Sequence, residues 1–201
     1  MKKYFSKFVV LLVFANFLSC DVAQQVAGTY NMTQCKYDYQ SISNLSLAGI
    51  NLQNVNSISS LNPLALANLM AAFSSSKGTL PLQFTLNLDV TNPSVQTALL
   101  NGLSYILEID GIEMTTGFLD SKLQVPGGQK AQLPINLAFD LKQVMSGASL
   151  TAVKNLAFNF AGIGDASSKV TMRLQPTLSV SGKSYKSPAY IPVSFTLNNK
   201  K

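Results

Sequence analysis

A chain of 201 residues can bury a core without help from disulfides or metals. Only 12% of it is charged, against about a quarter in a typical soluble protein, so polar surface must come from Ser, Thr, Asn and Gln, as suits antiparallel sheets with one wetted face. Histidine and tryptophan are absent, which removes the commonest proton-transfer and metal-binding side chain and with it most catalytic constellations.

The net charge of +6 is reached with 15 basic and 9 acidic residues. Three of the lysines (Lys2, Lys3, Lys7) lie in the N-terminal leader, and without them 12 basic residues face 9 acidic ones, a net +3. The rest are dispersed, apart from Lys200 and Lys201, and no basic stripe interleaved with aromatics marks a nucleic-acid surface.

Met1 to Ser19 reads as a signal peptide: a basic start, then an apolar run from Phe8 to Leu18. That run is too short to span a bilayer and suits a secretory h-region. Phe17-Leu18-Ser19-Cys20 follows, and it resembles the lipobox of bacterial lipoproteins, whose cysteine becomes the acylated first residue of the mature chain. The resemblance implies Cys20 as the lipid-attachment site, although such boxes usually carry a small residue at the position of Leu18. Cleavage further on by ordinary signal peptidase is the alternative, but no good Ala-x-Ala site follows. More than one acyl chain suffices for stable anchoring. The expected organisation is a signal peptide over 1–19, a lipidated tether over 20–29 and one domain over 30–201.

Gln34 to Gln40 is predicted as the first strand, with Cys35, Tyr37 and Tyr39 on its inner face, and Ile42 breaks the phase, which calls for a bulge or a strand break. Cys35, left without an intrachain partner if Cys20 is acylated, is expected as a buried free thiol. No histidine exists to activate it. Leu45, Leu47 and Gly49 resume alternation, and 51–60 is polar and irregular.

A helix is predicted from Pro63, with Asn62 as N-cap and Leu66, Leu69, Met70 and Phe73 as one apolar stripe ending near Gly78. Its polar side carries Asn and Ser rather than Lys and Arg, which fits a plug on the sheet core better than a membrane-surface helix.

From Leu80 to Val90 the alternation is strict: Leu80, Leu82, Phe84, Leu86, Leu88 and Val90 on one face, Gln83, Thr85, Asn87 and Asp89 on the other. Asn92-Pro93 stops this strand. After an irregular connection, Tyr105–Ile109 and Ile112–Phe118 form a hairpin through Asp110-Gly111. Leu123 and Val125 lie in a short extended piece before Pro126-Gly127-Gly128, and Ala131 to Leu141 again alternates, with Pro134 marking an edge or a bulge. Asp140 can cap a short helix to about Met145, and Ser149 another through Phe160. Val170, Met172 and Leu174 begin a strand that Pro176 interrupts, Ser181-Gly182-Lys183 turns the chain, and Ile191 to Leu197 is the last strand. About seven strands with turns between them, and one or two short inserted helices, predict a mostly β, immunoglobulin- or fibronectin-III-like antiparallel sandwich.

The run from Leu82 to Leu141 resembles the group-2 late-embryogenesis-abundant family (LEA type 2), also called the water-stress and hypersensitive-response domain. The landmarks are the long alternating strand ending in Asn92-Pro93, Tyr105 in the next strand, the Gly111 turn, the Pro126-Gly127-Gly128 turn and the alternating strand after it. Ser94-Val95 departs from the further asparagine and aromatic residue the family often has there, and the helix from Pro63 is an insertion. The resemblance implies a fibronectin-III-like sandwich without an active site, associated with desiccation and stress tolerance.

Catalysis is not expected, and no cofactor is implied. Glu108, Asp110 and Glu113 are the closest acidic trio and the one candidate for a weak hard-cation site, but acidic and Gly residues belong in a solvated turn anyway, and that is the reading preferred. Two functions follow as expectations. One is a stress-protective protein anchored in the bacterial envelope, at the outer membrane on its periplasmic or surface face. The other is a binding or assembly module that holds an envelope protein or glycan through sheet edges or end loops.

Overall fold

The computed structural model describes residues 26–53, 61–74, 78–144, 156, 159, 167–180 and 183–198. Every strand pairing among them is antiparallel. A helix over 26–34 (α1) precedes β1 (Lys36–Leu47) and β2 (Ile50–Asn51). Then come α2 (Pro63–Ser74), β3 (Pro81–Thr91), β4 (Ala98–Leu100), β5 (Leu103–Ile109), β6 (Ile112–Leu119) and β7 (Leu123–Val125). The last elements are β8 (Lys130–Asp140), α3 (Leu141–Val144), β9 (Ser167–Val180), β10 (Lys183–Lys186) and β11 (Ile191–Asn198).

One sheet runs β2-β1-β3-β8 and the other β10-β9-β5-β6, with β11 also on β9 and a small β4-β7 pair beside them. The fold is a mostly β, sandwich-like structure with eleven strands among the described residues, more than the seven expected. The surplus is short: β2, β4, β7 and β10 have no more than four residues each. β7 is the short extended piece expected at Leu123 and Val125; the others arise by pairing with tertiary neighbours, which no sequence periodicity announces.

β3 is central in its sheet, and all six apolar residues of the alternation from Leu80 to Val90 are buried. Its inward set fixes the neighbours. On β1 the register slips between Tyr39 and Ser41 and again between Ser43 and Ser46. The first slip restores Ile42 opposite Leu86 and the second Leu47 opposite Leu82. The irregularity expected at Ile42 is therefore a pair of slips that keep apolar residues inside, and β1 continues to Leu47. Asn44 takes the left-handed conformation (φ 55°) at the second slip, one of the few side chains that tolerate it. On β8 Pro134 lies opposite Asn87 on an edge strand, where its missing N–H leaves no ladder bond unmade.

The outer face of β3 is polar without much charge. Thr85 Oγ1 donates to Asn136 Oδ1 (2.8 Å) and accepts from Asn44 Nδ2 (3.2 Å). Asn87 Nδ2 donates to Ser41 Oγ and Ser43 Oγ.

The hairpin is as predicted. Asp110 (φ 52°) and Gly111 (φ 80°) both occupy the left-handed region, as a two-residue type I′ turn demands. Pro176 does not stop β9. It lies opposite Leu103 in an interior strand, at the point where β9 changes partner on its other side. β11 pairs up to Leu174 and β10 from Thr177, so Ser187 to Tyr190 bulge opposite Gln175 and Pro176. Ser187 N donates to Pro176 O and Gln175 Nε2 to Ser187 O, both at 2.8 Å.

Both expected caps are in place. Asn62 Oδ1 accepts from Ala65 N (2.7 Å), and Asp140 Oδ1 accepts from Lys142 N (3.0 Å) and Leu80 N (2.8 Å). Leu69 of α2 is in the core, with Leu61, Ala72 and Phe73 packed against it, whereas Met70, assigned to the same stripe, is exposed. The helix expected from Ser149 lies outside the described residues, apart from Leu156 and Asn159, which are helical.

Candidate functional site

Cys20, expected as the lipid-attachment site, lies outside the described residues. The chain enters the described region in α1, which begins inside the stretch expected as tether and covers Gln34, expected as the start of the first strand. Val26, Thr29 and Thr33 are β-branched and weak helix formers, so tertiary contact supplies what propensity does not. Met32 and Thr29 are buried, and Gly28 sits so close to Leu99 that a Cβ there would meet its Cδ1 at 2.7 Å. Two side chains just after the helix tie its end down: Cys35 Sγ donates to Asn31 O (3.4 Å) and, from β1, Tyr37 Oη donates to Met32 O (3.0 Å). Cys35 is a free, buried thiol, and burial pushes its pKa up to about 11. A thiol held neutral in this way is inert as a nucleophile.

Folding sets Glu108 opposite Glu113 across the hairpin and turns Asp110 to a different partner. Arg173 on β9 takes Glu108 Oε1 at 2.6 Å and lies 3.8 Å from Glu113 Oε2, so a guanidinium occupies the ground a cation would need. Asp110 serves the turn instead, its Oδ1 accepting from Lys169 N at 2.8 Å. Among the described residues no group of three or more His, Cys, Asp or Glu could hold a metal ion. No helix among them is long and apolar enough to cross a membrane.

Two features went unseen in the sequence reading. Asn92, expected as a strand stop, is a fully buried hub: Nδ2 donates to Gln96 O and Val125 O, both at 2.8 Å, and Oδ1 accepts from Ser94 N at 3.0 Å. Backbone bonds add to it, since Asn92 N donates to Gln129 O and Gly128 N to Asn92 O. The site therefore knots the 92–97 loop to the Pro126–Gln129 turn, and the signal available was a lone asparagine ending an apolar strand.

The other feature is a groove of about 560 Å³ between α1 and the β10–β11 arm. Val26, Tyr30, Tyr185 and Tyr190 are exposed around it, Lys186 contributes a cation, and no lining residue is acidic. Thr29 Oγ1, on a lining residue, is buried without a hydrogen-bond partner among the described residues. Arg173 Cζ lies 5.6 Å from the Tyr190 ring centroid, fixing one wall by a cation–π contact. The chemistry available is stacking, apolar contact and neutral hydrogen bonding. This is the outfit of a contact surface; proton transfer would need other groups.

No protein-family model matches the sequence, and no curated protein is similar to it. Solved structures similar to it include a protein from Archaeoglobus fulgidus (14% identity, 64% of this chain and 92% of that one, TM-score 0.38). AT1g01470 from Arabidopsis thaliana is similar over 80% of this chain and 77% of that one, at 12% identity and TM-score 0.42. A provisionally assigned late embryogenesis abundant (LEA) protein, At2g46140.1, is similar over 97% and 85%, at 15% identity and TM-score 0.38.

Proposed function

We propose that the protein is a non-catalytic, lipid-anchored envelope protein of the LEA type 2 kind, protective under water stress. The observation that carries the anchor is the leader, an apolar run from Phe8 to Leu18 followed by the lipobox-like Phe17-Leu18-Ser19-Cys20; with Val26 already in α1, acylation of Cys20 would tether the sandwich close to the bilayer. The LEA type 2 reading is supported by where its landmarks fall. Asn92 closes β3, Tyr105 lies on β5, Gly111 turns the hairpin, and Gly127 and Gly128 form the turn that Asn92 holds. A polar face built of amides and hydroxyls, low in charge, suits a protein that must stay soluble as water is withdrawn.

The groove favours a second reading, a module that holds an envelope protein or glycan by its end loops. Two measurements separate these. Cys20→Ala is followed by mass and by membrane fractionation; loss of an acyl mass increment together with release from the membrane is expected, and a wild type without that increment rules the anchor out. Pull-down from detergent-solubilised envelopes through a C-terminal tag is expected to yield no stoichiometric partner, while a labile test enzyme dried with the protein keeps activity. A stoichiometric partner and no protection would leave the module standing instead.

A further inference from the structure

We infer that the end of the sandwich carrying α1 is a bilayer-facing surface that lies in the headgroup layer of an anionic membrane and fixes the orientation of the domain on it. The inference rests on acylation of Cys20. Strand direction collects its parts: β1 starts at this end, β3 and β6 finish at it, and β9 turns there into β10. Gly28 against Leu99 and Asn31 Nδ2 on Thr97 O bring α1 onto the loop after β3.

Exposed apolar side chains concentrate at this end. Val26 (45%), Tyr30 (65%), Val95 (95%), Phe118 (55%), Tyr185 (52%) and Tyr190 (41%) account for six of the nine large hydrophobic residues that the described region leaves exposed. A scattered exposed residue means nothing, but a cluster on one end marks a contact surface. Tyrosine is the residue of the membrane interface, its ring among glycerol and upper acyl groups and its hydroxyl in water. Lys183 and Lys186 on β10 and Lys122 after β6 lie toward this end with Asp120, while Lys36 and Lys130 there are paired with Asp38 and Asp89, so the cations outnumber the carboxylates, the sign an anionic leaflet attracts.

The anchor makes the bilayer the occupant of choice. Five residues separate Cys20 from Val26, and the six steps between their Cα atoms reach at most about 20 Å when fully extended. The face that carries α1 is thus the one an acylated Cys20 holds nearest the lipid.

The absence of tryptophan gives a clean test. Single reporters Tyr30→Trp, Val95→Trp and Tyr185→Trp, with Leu64→Trp on α2 (71% exposed) as reference, are made in the mature chain. Each is reconstituted in phosphatidylcholine–phosphatidylglycerol vesicles with and without brominated acyl chains. The expected result is a blue shift and bromine quenching at 30, 95 and 185, weakened in pure phosphatidylcholine, with Leu64→Trp unaffected. An acyl mass increment with no quenching at these positions overturns the inference and leaves the anchor intact. Quenching equal at Leu64→Trp overturns it too, since no face is then preferred. A blue shift that grows with protein density without bromine quenching identifies a second copy as the occupant. Absence of both acyl mass and vesicle association refutes the anchor, and the inference with it.

Discussion

Asn92→Ala is the sharpest probe of how this domain is held together. The substitution removes three side-chain hydrogen bonds at a fully buried site and leaves Gln96 O, Val125 O and Ser94 N without their partner. A net hydrogen bond is worth about 1 kcal/mol, and each buried group left unsatisfied costs about 1–3 kcal/mol. Partial relaxation and entry of water into the space vacated reduce the sum, so the expected loss is about 3–5 kcal/mol. That is a large fraction of a domain stability of about 5–15 kcal/mol and corresponds to a fall in Tm on the order of 10 °C at this chain length. Urea unfolding of the mature chain, followed by far-UV circular dichroism, measures it. Asn87→Ala is the control: its bonds go to the half-exposed hydroxyls of Ser41 and Ser43, which water can replace, and the expected loss is under about 1 kcal/mol. Asn92→Asp adds a sign test. A carboxylate there faces two carbonyl oxygens, its pKa is raised, and the variant should regain stability as pH falls from neutral. A loss below about 1 kcal/mol for Asn92→Ala, or one no larger than for Asn87→Ala, refutes the hub.

Other outcomes follow from the same geometry. Burial holds the Cys35 thiol neutral to about pH 11 in the fold, against 9.0 for the ordinary thiol, and burial also raises Tyr37. The folded state therefore binds more protons than the unfolded one between those values, and stability falls as pH rises through 9 to 11, by at most about 1.4 kcal/mol per pH unit for each such group. Cys35→Ala should flatten that slope in urea titrations, and an unchanged slope refutes the assignment. At Gly127 a Cβ would run into Val95 O; because the obstacle is backbone, Gly127→Ala should cost about 1–3 kcal/mol, and a thermal melt equal to wild type rejects the close approach. With Arg173 between Glu108 and Glu113, millimolar Ca²⁺ should leave Tm unchanged, and a rise of several degrees would reinstate the trio as a cation site.

Where local chemistry and tertiary structure agree, the chain was legible. β3 and β8 each follow a period of two over eleven residues, because one face is buried and the other wetted. Asn62 and Asp140 were readable as caps, since their side chains serve N–H groups two or three residues on. The weak spots have physical reasons. α1 has the composition of a loop and is a helix because Met32, Gly28 and Thr29 find the sandwich. Pro176 reads as a break, yet the strand survives because its partner changes there and Gln175 and Ser187 take up the bonding. The stripe of α2 was drawn too wide by Met70, which no periodicity distinguishes from Leu69.

By itself the sequence determined the class: mostly β, antiparallel, with the faces of the long strands, the Asp110-Gly111 hairpin and the inert setting of Cys35. These depend on alternation, turn chemistry and the lack of a histidine, all carried by neighbours in the chain. Only the tertiary structure decided that Asn92 is a hub, that Arg173 takes two of the three acidic side chains, and that tyrosines 30, 185 and 190 share one groove. Each case joins residues that include partners dozens of positions apart, such as Asn92 with Val125, Arg173 with Glu108 and Tyr30 with Tyr185, and such spacing means nothing until the sheets have paired.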